Sequence, residues 1–119
     1  MKKTEKRKLG DRGERRTAIY LILRGWRILE RNYTFGHKEV DLIAKRGKVI
    51  AFVEVKTRTR ARVAPHASVT REKRRNVIAA AKGWMMTHDA SGCTVRFDVS
   101  EVTETGGINY ISSAYTAED

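Results

Sequence analysis

Apolar and polar positions divide the chain into two helical and five extended segments. Across residues 9–24, Glu14, Ala18, Leu21 and Ile22 recur at helical spacing, which predicts a first helix stopped by Gly25. Residues 26–33 alternate weakly around Ile28, Leu29 and Tyr33 and read as a strand near a sheet edge. An irregular link over residues 34–38 leads to a second strand at 39–44, where Glu39, Asp41 and Ile43 share one face. Residues 49–56, V-I-A-F-V-E-V-K, are the most apolar stretch and read as a strand covered on both faces. Thr70 is a good N-cap for a second helix from about residue 71 to 87, with Val77, Ile78, Ala81, Trp84 and Met85 on its inner face. Two further strands are expected near residues 94–102 and 108–114.

The third strand ends in two charges that its apolar surroundings do not favour. Glu54 and Lys56 emerge on one face with Val55 turned away, and burying them is costly without a partner or a metal. Turn length decides what faces them. Taken as a two-residue hairpin loop, Arg46-Gly47 sets Asp41 opposite Phe52 and Glu39 opposite Glu54, with Asp41 and Glu54 about 7 to 8 Å apart at their backbones. A three-residue loop would separate the two acids. An E-x-K triplet alone arises often by chance, and its plain reading is a Glu54–Lys56 pair at a sheet edge. Glu14 reads locally as a rim salt bridge to Arg12 or a first-turn cap.

Composition narrows the class. The 119 residues suit one domain at residues 9–115, preceded by a basic flexible arm at 1–8 and followed by a frayed tail at 116–119. No apolar run is long enough to cross a bilayer, no secretory signal is present, and a lone Cys93 makes neither a disulfide nor a zinc cluster, so a cytoplasmic protein without a membrane partner is expected. The net charge of +11 is uneven: residues 1–31 hold eleven basic and four acidic side chains, residues 56–75 eight and one, and residues 84–119 one and six. One basic face suited to nucleic acid, with DNA favoured, follows from this. Arg58, Arg60, Arg62, Lys73 and Arg74 are the candidate phosphate contacts; Trp26, Trp84 and Phe97 read as core, and His37 and His66 as loop residues. Oxygen ligands from Asp41, Glu54 and the Val55 carbonyl, completed by a phosphate, suit Mg2+, with Mn2+ able to substitute. Lys56 is then placed to orient water or to stabilise phosphate charge, and Glu39 ranks just below as a ligand or supporting acid.

Gly13-Glu14 with Ala18 and Leu21, Gly25-Trp26-Arg27-Ile28-Leu29, Arg31-Asn32-Tyr33, Glu39-Val40-Asp41-Leu42-Ile43, Phe52-Val53-Glu54-Val55-Lys56-Thr57-Arg58, Thr70 with Lys73, and Arg96-Phe97-Asp98-Val99 together resemble the YraN-like family of small bacterial proteins. The likeness covers residues 10–102, with one departure, His37-Lys38 where the family commonly has Gly before the acid at 39. The resemblance implies a restriction-endonuclease-like α/β fold, a mixed β-sheet flanked by helices, with a PD-(D/E)xK site and a layout similar to archaeal Holliday-junction resolvases. It implies Asp41, Glu54 and Lys56 as the active-site triad, with Glu14 joining from the first helix. A Mg2+-dependent endonuclease acting on DNA, branched DNA included, is the expectation, and by analogy with junction resolvases a homodimer. The alternatives are a nucleic-acid-binding module of the same fold without useful catalysis, and an adaptor for a helicase or recombination factor.

Overall fold

The structure, a computed structural model, describes residues 3–58 and 70–117, with side chains described from Asp11 onward in the first helix. Its elements run α1 (Lys3–Ile22), β1 (Arg27–Phe35), β2 (Lys38–Arg46), β3 (Val49–Arg58), α2 (Arg71–Thr87), β4 (Thr94–Thr103) and β5 (Ile108–Tyr115). Helix α1 therefore takes in residues expected as an arm. It ends at the Gly25 stop, where Gly25 adopts φ 89° and Trp26 N–H returns to the Leu21 carbonyl at 3.0 Å. Helix α2 has the expected bounds, because the Thr70 hydroxyl accepts the Lys73 N–H at 3.1 Å and fixes its start. Arg60, Arg62 and His66, expected in a loop, and the last two residues of the tail lie outside the described residues.

The five strands form one sheet in chain order. Neighbours are antiparallel except β3 and β4, which run parallel with α2 as the crossover. Alternation along β3 explains the two cores. Ile50 and Phe52 pack with Val77, Ala81 and Trp84 of α2, whereas Ala51 and Val53 pack with Ala18 and Leu21 of α1. The helices thus cover opposite faces, and Trp26, Trp84 and Phe97 are core, as expected. Among the described residues, no helix is long and apolar enough to cross a membrane.

The hairpin register differs from expectation. Arg46 pairs with Val49, so the two-residue turn is Gly47-Lys48, with Gly47 supplying the positive φ of 60° that its first position requires. Ile43, not Asp41, faces Phe52, and Glu39 pairs with Thr34 of β1 rather than facing Glu54. The displacement is two residues, which preserves side-chain parity. A second irregularity has more consequence. Val40 and Ile43, three residues apart, both pack towards α2, while Leu42 packs towards α1. The pleat therefore slips at Asp41. Opposite it in β1, Asn32 takes φ 52° and drops out of the ladder between Arg31↔Leu42 and Tyr33↔Val40.

Candidate active site

Strands β2 and β3 part company at the acids. Their ladder ends at Leu42↔Val53; β2 goes on beside β1, and β3 goes on beside β4 with Glu54 next to Val99 and Lys56 next to Glu101. Had the ladder continued, Val40 would lie opposite Val55. Instead Asp41 turns into the gap and its Oδ2 accepts the Val55 N–H at 2.8 Å. Because N–H and C=O of a strand residue point to the same edge, the Val55 carbonyl also faces this gap. Asp41 is 9% exposed and Glu54 3%.

Helix α1 brings the third acid. Gly13 lies so close to β3 that a Cβ there would meet Thr57 Oγ1 at 2.9 Å and Val55 Cγ1 at 3.3 Å, and this approach carries the adjoining Glu14 into the protein at 8% exposure. Its expected rim bridge to Arg12 is not what forms. Glu14 bonds the Asn32 side chain and lies 3.9 Å from Arg31 Nη2, while its Oε1 is buried with no hydrogen-bond partner among the described residues. Burial, then the charge of Asp41, raises the Glu14 pKa to about 7. Burial likewise raises Glu54, which Asp41 pushes further to about 8, and Asp41 itself is raised chiefly by burial. Asp41 and Glu54 interact directly, and the charge of Asp41 disfavours ionisation of Glu54.

Two lysines attend the acids differently. Lys73 reaches back from the first turn of α2 and sets its Nζ 3.1 Å from Glu54 Oε1. Burial alone would lower its pKa, but the Glu54 charge and hydrogen bond outweigh that and raise it. Lys56 is half-buried and, among the described residues, makes no hydrogen bond or ion pair. Several candidate phosphate contacts are thus occupied by the protein itself. Arg58 pairs with Glu101 at 3.0 Å, Lys73 with Glu54, and the Arg74 guanidinium lies over the Tyr115 ring at 5.3 Å. Glu39 is exposed, and its charge acts on Asp41 and Lys73 without joining the buried acids.

Comparison with known proteins gives a family. The profile of "Uncharacterised protein family UPF0102" matches residues 13–102, a span that contains all three acids and both lysines. The chain belongs to this family. UPF0102 proteins of Chlorobaculum parvum (46% identical over 79% of this chain and 74% of the relative), Trichlorobacter lovleyi (42%, over 90% and 89%) and Myxococcus xanthus (36%, over 95% and 93%) are similar to it. The YraN-like resemblance is borne out. So is an α/β fold with a five-stranded mixed sheet between helices, compatible with the restriction-endonuclease-like class.

For this UPF0102 chain, the fit to a hard cation rests on the donor set. Among the described residues, no group of three or more His, Cys, Asp or Glu is arranged to hold a metal unaided. Mg2+ does not need such a cage, since it commonly takes one or two carboxylates and completes its shell with waters and phosphate oxygens. Asp41, Glu54 and the edge carbonyl of Val55 are all oxygen donors, and Glu14 Oε1 on the neighbouring helix has no hydrogen bond among the described residues. They fit. Two participants had weak sequence signals. Asn tolerates left-handed backbone, yet Asn32 sits within a strand-like run, and Tyr115 lay just past the expected last strand.

Proposed function

We propose that this protein is a divalent-metal-dependent endonuclease that hydrolyses phosphodiester bonds in DNA. The observation that carries the reading is the parting of β2 and β3 at Asp41 and Glu54, which leaves two buried acids and the Val55 backbone along one gap. A net charge of +11 supports a polyanionic substrate. Asp41 and Glu54 would hold Mg2+, or Mn2+ in its place, with the Val55 carbonyl. Bound there, such an ion polarises a phosphate oxygen and lowers the pKa of water. The protein's own groups supply the rest. Lys56, free of any protein partner among the described residues, is the ammonium available to a phosphate oxygen. Glu14, raised to about 7, exchanges its proton near neutrality and suits general acid or base work.

Incubating the protein with labelled duplex, flap and four-way DNA in Mg2+ and in Mn2+ tests this directly. Cleavage that disappears in Asp41→Ala and Glu54→Ala is expected. Absence of cutting on every substrate, or undiminished cutting by both variants, refutes it. The Lys73–Glu54 ion pair favours a second reading, a nucleic-acid-binding module whose acid site is closed by its own lysine. That reading gives salt-sensitive DNA binding indifferent to Mg2+ and to Asp41→Ala.

A further inference from the structure

Lys73 was expected to face a phosphate, and its position against Glu54 gives it an additional task. Its ammonium lies 3.1 Å from Glu54 Oε1 and feels the charges of Asp41 and Glu39 as well. It therefore occupies the place a positive ion would take beside the buried acids. Glu54 is almost wholly buried, whereas the Lys73 side chain is 46% exposed, so the acid is fixed and the lysine has solvent to move into. Its backbone is pinned by the Thr70 cap, so motion is confined to the four-carbon stem. The flanking Arg71 and Arg75 are exposed on the same helical turns, so a lysine swung outward joins other cations.

We propose that Lys73 is a stand-in cation. It holds Glu54 while no divalent ion is present, is displaced when one binds, and then contacts a phosphate of the nucleic acid. Metal binding and nucleic-acid binding are thereby coupled through one side chain. The phosphate half of this inference rests on the nuclease reading; the displacement half does not.

Mn2+ affinity measured by calorimetry without nucleic acid, at pH 9, separates the two. Lys73→Met, lacking the competing charge, is expected to bind Mn2+ roughly ten-fold more tightly than wild type, and Lys73→Arg within roughly two-fold of wild type. Lys82→Met, at an exposed position farther along α2, is expected to leave Mn2+ affinity unchanged. With a labelled DNA duplex and Ca2+ as the ion, wild type gains DNA affinity on adding metal and Lys73→Met loses most of that gain. Thermal melts of each variant establish that it is folded. If folded Lys73→Met binds Mn2+ no more tightly than wild type, the stand-in role is overturned while the nuclease reading stands. If the Mn2+ pattern holds but the protein cuts no DNA, the nuclease reading falls and displacement survives. If wild type binds no Mn2+, both fall.

Discussion

At Tyr115 the last strand ends in a phenol whose hydroxyl is buried and has no hydrogen-bond partner among the described residues. The ring is well placed, stacked on Phe97 at 5.3 Å between centroids, so the phenyl part stabilises while the hydroxyl does not. Burial, followed by the charge of Glu54, raises its pKa, which keeps it protonated at neutral pH. Replacing a buried unsatisfied donor with an apolar group of the same shape removes a desolvation cost of about 1 to 3 kcal/mol. Tyr115→Phe is therefore expected to raise unfolding stability by about 1 kcal/mol in urea denaturation. A loss of stability would show that the hydroxyl has a partner. Asp41 offers the opposite case at the same scale. Its importance was readable from an acid one strand before an apolar E-x-K. Its sideways turn was not, because that depends on a left-handed Asn32 in the neighbouring strand.

Elements were most readable where a local device fixes them. The Thr70 hydroxyl set the start of α2, and Gly25 the stop of α1. The hairpin was misplaced because Arg46-Gly47 and Gly47-Lys48 are both two-residue turns, and only the choice of position for Gly47 separates them. Its even length still kept Ile43 and Phe52 on one face, and Asp41 then reached the gap beside Glu54 by turning out of the pleat. The docking of α1 was the hidden part, since nothing in the helical pattern announces that Gly13 touches β3. A methyl at Gly13 would press on Thr57 Oγ1 at 2.9 Å and on Val55, both on the strand that carries Glu54. Gly13→Ala is expected to lower stability by about 1 to 2 kcal/mol, the range for overpacking, even though alanine favours helix. It also moves Glu14 away from Asp41, so Mn2+ affinity should fall with the melting temperature. A stability gain would mean that α1 does not lie this close.

Across the whole molecule the acids oppose the fold they serve. Glu14, Asp41 and Glu54 come from three elements, and only their convergence in the tertiary structure makes burial their dominant influence. All three have folded-state pKa values above their ordinary ones, so the folded chain holds protons that the unfolded chain releases. Their contribution to stability is complete below about pH 4.5 and is lost as pH rises through about 7 for Glu14 and about 8 for Glu54. Lys73 is raised from an ordinary value of 10.5 and keeps its charge throughout this window. Without divalent ions, stability is therefore expected to fall between pH 5 and pH 8 by an amount on the order of 2 kcal/mol. Glu54→Gln should flatten that decline, because the amide cannot ionise. Mn2+ should restore stability at pH 8 and do little at pH 5, since a cation replaces the protons only once they are labile. Thermal melts across the four combinations of pH and metal check this. A melting temperature that climbs from pH 5 to pH 8 in the metal-free protein would mean that the acids are already charged in the fold, with Lys73 and Arg31 sufficient to hold them so.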